Sequence, residues 1–199
     1  GFWKNSFIVT PDVRVPRPET ETLVDAILNE NLQGKTLLEL GTGSGAISIS
    51  IAQENKDCFI FATDISIKSI LLAKQNAAKF CCENIIFLNH DWNNDWLFPQ
   101  VDYLISNPPY VDKEATTGKE EGIWHEPEKA LFSKDKGLSD LKLILSKGKN
   151  FLNENGKVYL EHAPNQYEEL NKFAMENGYS NFSNLNDLNG DKRVSIYKC

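Results

Sequence analysis

"TLLELGTGSGAISISIA", residues 36–52, decides the fold. Thr36–Leu40 has the apolar, extended character of a buried strand. It runs straight into Gly41, Gly43 and Gly45, and a helix-forming stretch, "GAISISIAQEN" (45–55), follows. Glycines at such a corner let the backbone turn tightly and approach a ligand with no side chain in the way. The same alternation extends downstream. "CFIFATD" (58–64), "NIIFLN" (84–89), "VDYLIS" (101–106), "GKVYLEH" (156–162) and "RVSIYKC" (193–199) read as strands. "IKSILLAKQNAAKF" (67–80), "LSDLKLILSKGKNFL" (138–152) and "YEELNKFAMENGY" (167–179) read as helices, the first with Ile67, Ile70, Leu71 and Ala78 on one face. Strands alternating with helices imply an α/β fold with a mostly parallel sheet and helices on both faces.

Upstream, "PDVRVPRPETETLVDAIL" (11–28) combines an extended, proline-held approach with a helix opened by Pro18 and acidic residues. The stretch from 111 to 137 is long, charged and without period. Within it, "KEEGIWHEPEK" (119–129) is expected to be a surface lid packed down by Trp124.

With 41% hydrophobic residues in 199, the chain can bury the core of a single domain: a lead-in over 1–35 and an α/β core over 36–199. A net charge of -7 argues against direct nucleic-acid binding, which uses a basic excess to meet phosphates. Cys58, Cys81, Cys82 and Cys199 form no CxxC, and His90, His125 and His162 are scattered, so no metal site is expected. No apolar run approaches the roughly 20 residues needed to span a bilayer, and the first residues do not read as a secretory signal. The expected setting is the cytoplasm, with no membrane partner and reduced thiols. The chain does not open with Met, as expected for a piece of a longer protein.

Ligands of such sheets bind beyond the carboxyl ends of the strands. Asp64 ends the second strand, 19 residues after Gly45, where it can accept hydrogen bonds from a ribose diol. Gly41-x-Gly43-x-x-Ala46 also fits a dinucleotide fingerprint, so NAD is a rival ligand. Two acids, Glu39 and Asp64, suit a cationic cofactor without phosphate, such as S-adenosylmethionine, better than a pyrophosphate. The glycine corner alone leaves both open.

"SNPPYV" (106–111) narrows the choice. Each proline biases the preceding residue to extended geometry and offers no N–H. After the fourth strand, at the same sheet edge as the glycines, the chain thus displays the Asn107 side-chain oxygen, a fixed backbone carbonyl and an aromatic ring, Tyr110. Two acceptors and a platform suit a planar group bearing an NH2.

Asn107-Pro108-Pro109-Tyr110 resembles the signature of methyltransferases that act on planar amide or amino nitrogens. "FIVTPDVRVPRPETETLVDAIL", "LLELGTGSGAISISIA", "ATDIS", "EPEKAL", "GLSDLKLIL", "LEHAPNQ" and "DLNGDKRV" together resemble the PrmC/HemK family, from about Phe2 to Val194. The resemblance implies a class I S-adenosylmethionine-dependent methyltransferase of Rossmann-like fold, with a seven-stranded sheet whose last strand is antiparallel. It implies methyl transfer to the side-chain amide of the glutamine in the Gly-Gly-Gln loop of peptide chain release factors, leaving S-adenosylhomocysteine. The cousin activities are glutamine methylation of a ribosomal protein and adenine methylation of nucleic acid.

Residue by residue, the resemblance implies that Gly41, Thr42, Gly43, Ser44 and Gly45 wrap the methionine part of the cofactor. Asp64 takes the ribose, and Asp91-Trp92 borders the adenine with Trp92 packed on it. Asn107 touches both cofactor and substrate, and Pro108, Pro109 and Tyr110 complete the glutamine pocket. Asn107, Pro108 and Tyr110 are the implied catalytic group. The sequence departs from the family pattern at Arg14, where an aliphatic residue is usual, and at Ala163-Pro164, where a glycine is usual. The family's small helical N-terminal domain is not among these residues.

Overall fold

The computed structural model describes residues 1–112 and 132–199. The expected lid over 119–129, with Trp124, lies outside the described residues. Seven strands form the main sheet: β1 (Thr36–Leu40), β2 (Phe59–Asp64), β3 (Ile85–Asn89), β4 (Val101–Ser106), β5 (Leu152–Glu161), β6 (Asn181–Asn186) and β7 (Lys192–Lys198). Their spatial order is β3-β2-β1-β4-β5-β7-β6. β1 to β5 pair in parallel, and β7 lies antiparallel to both β5 and β6. The expected sheet, with its antiparallel last strand, is present.

Five helices cover it: α1 (Glu21–Leu28), α2 (Ala46–Glu54), α3 (Ile67–Lys79), α4 (Ser139–Gly148) and α5 (Tyr167–Glu176). Strand alternation sorts them to two faces. Leu37, Ile60, Tyr103, Ile105 and Tyr159 pack with Leu23, Ile27 and Ile47 of α1 and α2, and Ala62 continues that face to Ile70 and Ala73 of α3. Leu38, Leu40, Leu104, Val158 and Leu160 point the other way, onto Leu141, Ile144 and Leu145 of α4 and Leu170 of α5.

The chain therefore winds from β1 outward to β3 with its helices on one face, then returns to β4 on the opposite side of β1. That reversal leaves a crevice at the carboxyl ends of β1 and β4, where neither crossover covers the strand ends. The glycine corner and the proline corner both end there.

Two expectations need correction. Of the α3 residues assigned to one face, only Ile70 is buried; Ile67 and Leu71 are each 56% exposed, and Ala78 is exposed too. The face against the sheet carries Ser69, Leu72, Ala73, Asn76 and Ala77 instead. Asn76 explains the rotation: its amide nitrogen donates to the carbonyls of Ile8 and Ser44 at 3.0 and 2.9 Å, and its oxygen accepts from Ile8 N at 2.8 Å. A fully satisfied buried amide ties the N-terminal segment and the glycine corner to this helix. The helix expected over 138–152 ends at Gly148 and tightens into a 3-10 turn, Lys149–Phe151, and the strand after it begins at Leu152.

Candidate active site

β1 delivers Gly41 into the crevice, and the corner is held from below. Gly41 N and Thr42 N both donate to Thr63 O at 2.8 Å, so the ends of β1 and β2 close the turn. Thr42 Oγ1 donates to Glu39 Oε2 at 2.8 Å, and Ser48 Oγ donates to the same oxygen. Glu39 is fully buried; desolvation pushes its carboxyl up to about 7 against those two donors, and Oε1 has no partner among the described residues.

The glycines do different work. Gly45 (φ 83) precedes the first turn of α2, and a Cβ there would sit 2.9 Å from Ile49 Cδ1 and 3.1 Å from Ala73 Cβ. It lets α2 pack against α3. Gly41 (φ 78) lies under the indole of Trp92, whose Cζ3 is 3.2 Å from where a Cβ would stand. Trp92 thus covers the glycine corner, with its Nε1 donating to Asp140 Oδ1 on α4 at 3.0 Å.

Asp64 ends β2. Its Oδ2 accepts from Gly43 N at 2.9 Å and its Oδ1 from Ser66 N at 2.9 Å. Burial raises its pKa while those two N–H groups pull it down. The Ser69 side chain pulls it down as well, so of the carboxylate's roughly four acceptor sites about one is left for a ligand.

One cavity brings Gly41, Thr42, Gly43, Ser44 and Asn107 together with Arg14, Arg17 and Thr20. Gly45 is not in its lining, and Asp64 and Trp92 meet the glycine corner rather than this cavity. Asn107 Nδ2 donates to Thr20 Oγ1 at 3.0 Å, while Asn107 Oδ1 is buried with no hydrogen-bond partner among the described residues. A buried acceptor left unmade costs about 1–3 kcal/mol, so this oxygen is a vacancy for a donor. That fits a ligand bearing an N–H, and Asp64, on the Gly43 N–H beside the corner, is an acceptor that fits a cofactor's hydroxyl.

Pro108 and Pro109 are buried, as is Tyr110. The Tyr110 hydroxyl donates to Glu161 Oε1 at 2.9 Å, and burial with the nearby carboxylate pushes the phenol up to about 12. Glu161, at the end of β5, is fully buried; burial raises its pKa, while Thr20, Arg14, Tyr110 and Arg193 oppose the rise. Arg14 sits with its guanidinium carbon 5.4 Å from the Tyr110 ring centroid. A cation thus stacks on this ring and faces the buried acid.

Sequence reasoning missed Thr20 and Glu161. In the sequence Thr20 reads as part of a helix start, and the acid in "VYLEH" belongs to no motif. The signal available was an acid directly after the apolar run Val158–Leu160 at the end of a strand, which needs partners if buried. Among the described residues, no cluster of His, Cys, Asp or Glu is placed to hold a metal, and no helix is long and apolar enough to cross a membrane.

Comparison with known proteins gives concordant matches. The methyltransferase small domain family matches residues 18–136. A release factor glutamine methyltransferase of Shewanella oneidensis is 34% identical over 198 residues, covering 99% of this chain and 69% of that protein. Among solved structures, a methyltransferase from Pyrococcus furiosus superposes with a TM-score of 0.70 at 20% identity, covering 96% of this chain and 87% of that one. Magnesium protoporphyrin IX methyltransferase from Synechocystis, solved with bound SAM, gives 0.60 at 18% identity, covering 89% and 76%.

Proposed function

The chain belongs to the release factor glutamine methyltransferase family and carries its methyltransferase small domain, and on that premise we propose how its own residues methylate a glutamine side chain. It is an S-adenosylmethionine-dependent protein-glutamine N-methyltransferase, and its substrates are peptide chain release factors. In the finer reading, the target is the glutamine of the Gly-Gly-Gln motif. The catalytic domain comprises a lead-in over 1–35 and a core over 36–199, and it works in the cytoplasm.

A carboxamide nitrogen is a poor nucleophile because its lone pair is delocalised into the carbonyl. The rotation barrier of roughly 18–20 kcal/mol measures that delocalisation. The bound cofactor supplies an electrophilic methyl carbon on a sulfonium. The protein's part is to hold the amide. Asn107 Oδ1 and the Pro108 carbonyl would each accept one amide hydrogen, which moves electron density onto the nitrogen and fixes its direction. Each such preorganised contact is worth about 3 kcal/mol. Asp64 would hold the ribose hydroxyls, the Gly41–Gly45 corner the methionine part, and Trp92 the adenine. Pro108, Pro109 and Tyr110 would wall the glutamine and exclude water.

The observation that carries this reading is the unpartnered Asn107 oxygen beside the glycine corner. Labelled S-adenosylmethionine offered with a release factor, a ribosomal protein and duplex DNA, followed by mapping of the modified atom, tests it. Label on the side-chain nitrogen of a release-factor glutamine is expected. Label on adenine, or only on the ribosomal protein, would overturn it.

A further inference from the structure

The cavity that holds the Asn107 oxygen also contains a strong donor. Arg14 lines it together with Asn107 and Thr20, and Tyr110 is not among the lining residues. The Arg14 guanidinium carbon lies 5.4 Å from the Tyr110 ring centroid, so this side of the proline corner meets the cavity through Arg14. The tyrosine beneath is fixed at two points. Its hydroxyl donates to the buried Glu161 at 2.9 Å, and its main-chain oxygen accepts from Gln166 Nε2 at 2.9 Å. A cation stacked on a held ring, with an acid at that ring's hydroxyl, is itself held. A guanidinium carries five N–H donors in a planar fork, so it can keep its protein partners and still present donors to the cavity.

A glutamine carboxamide has two N–H groups to give and one carbonyl oxygen that accepts. Asn107 Nδ2 is taken by Thr20 at 3.0 Å, while Asn107 Oδ1 is buried and open to an N–H. With its hydrogens placed on Asn107 and Pro108, the substrate's carbonyl oxygen still needs a donor, because an acceptor buried without one costs binding energy. Arg14 can donate and cannot accept. We propose that Arg14 is a substrate-binding residue that donates to the carbonyl oxygen of the target glutamine, so that Asn107 and Arg14 read the two ends of its amide. This rests on the role given to Asn107 above. A flipped amide would set N–H against N–H at Arg14 and oxygen against oxygen at Asn107. The chemistry also dictates where the contribution falls. As the nitrogen lone pair bonds to the methyl carbon, the electrons of the sulfur–methyl bond pass to sulfur and the amide loses its delocalisation. The carbonyl oxygen then carries less negative charge, and its bond from Arg14 weakens. Arg14 therefore helps to hold the substrate and does not lower the barrier.

The test uses Arg14→Met, which keeps a long side chain on the ring and removes the donors, and Arg14→Lys, which keeps a cation with N–H groups. In steady-state methylation of a release factor, Arg14→Met should raise KM by about tenfold or more, with kcat at or above the wild-type value. Arg14→Lys should recover part of the KM. S-adenosylmethionine affinity by calorimetry should stay within about twofold in both. A release factor whose target glutamine is changed to glutamate presents a carboxylate to Arg14, so as a competitive inhibitor it should lose more affinity in Arg14→Met than the glutamine form does. A role confined to packing Tyr110 would not depend on the charge of the target. An unchanged KM in Arg14→Met, or a fall in kcat at constant KM, would overturn the contact with the carbonyl oxygen while leaving the reading of Asn107 intact. A raised KM in Arg17→Met but not in Arg14→Met would overturn it as well, since the contact would then belong to the other arginine of the cavity. Full turnover in Asn107→Ala would overturn both readings.

Discussion

The Gln166 side-chain nitrogen donates to the main-chain oxygen of Tyr110 at 2.9 Å. The oxygen of the same carboxamide accepts from Ala163 N at 2.9 Å, so Gln166 clasps the proline corner to the loop after β5. This is the loop that carries Ala163-Pro164, and the Ala163 backbone N–H is held. Gln166→Leu should destabilise the protein by about 1–3 kcal/mol, since it leaves a buried carbonyl and a half-buried N–H without partners. Urea unfolding measures the loss. Turnover should fall more than cofactor affinity, because Tyr110 is proposed to wall the glutamine pocket.

Asp64→Ala removes the acceptor of two backbone N–H groups, Gly43 and Ser66, along with the proposed ribose contact. Hydrogen bonds to a charged group are worth about 1.5–3 kcal/mol, so cofactor affinity should fall by about 10- to 100-fold. Calorimetry reads it directly. An unchanged dissociation constant would take Asp64 out of the cofactor site.

Lys147 on α4 donates to three consecutive carbonyls, Trp92, Asn93 and Asn94, each at 2.9 Å. With Asp140 taking the indole N–H of Trp92, α4 grips this loop at two points. Lys147→Met should free the loop and weaken cofactor binding by about tenfold, corresponding to about 1.4 kcal/mol. Tryptophan fluorescence should also report greater exposure. Wild-type affinity in this variant would mean that Trp92 is a packing residue only.

His162 predicts a pH dependence. Its Nδ1 lies 2.8 Å from Ala163 O and its Nε2 2.7 Å from Ser195 Oγ. A carbonyl only accepts, so Nδ1 carries the proton and Nε2 accepts from Ser195. Burial lowers the pKa from 6.5 to about 4, with Arg193 adding to the effect. The fold therefore binds fewer protons than the unfolded chain between these values. His162's contribution to stability is whole above pH 6.5 and is lost as pH falls toward 4, to a total of about 3 kcal/mol. Glu39 opposes this: its raised pKa makes burial of the carboxylate most costly as pH rises from 4.5 to about 7. The two slopes partly cancel in the native protein. Glu39→Gln removes one of them, and its stability should fall more steeply with acid than the wild type's. A flat profile in that variant, or an imidazole titrating near 6.5 by NMR, would contradict the assignment.

Much of the architecture was legible because burial leaves a mark on residue type. β1, β2 and β4 are apolar on both faces, and the glycine and proline corners follow them directly. β6 was not legible: "NFSNLN" is polar and mostly exposed, and it is a strand because β7 pairs with it, Phe182 opposite Tyr197. The packed face of α3 was misread because its apolar residues Ile67 and Leu71 lie outside, while buried Asn76 finds all its partners in distant segments. Asn107 and Asp64 could be singled out because each closes or follows a strand at the ligand edge, whereas Trp92 was implied only by the family resemblance. Thr20 and Glu161 could not, since their contacts with Asn107 and Tyr110 reach across 87 and 51 residues of sequence, and a local reading offers Thr20 the ordinary job of starting a helix.

The claim beneath all of this is that the Asn107 oxygen receives a hydrogen of the reacting amide. Paired calorimetry and single-turnover methylation of Asn107→Ala, with a release factor as substrate, test it most directly. The account predicts cofactor affinity close to wild type and a methyl-transfer rate reduced by about 100-fold or more, as for removal of one preorganised hydrogen-bonding group in a transition state. A near-normal transfer rate alongside lost cofactor binding would contradict it.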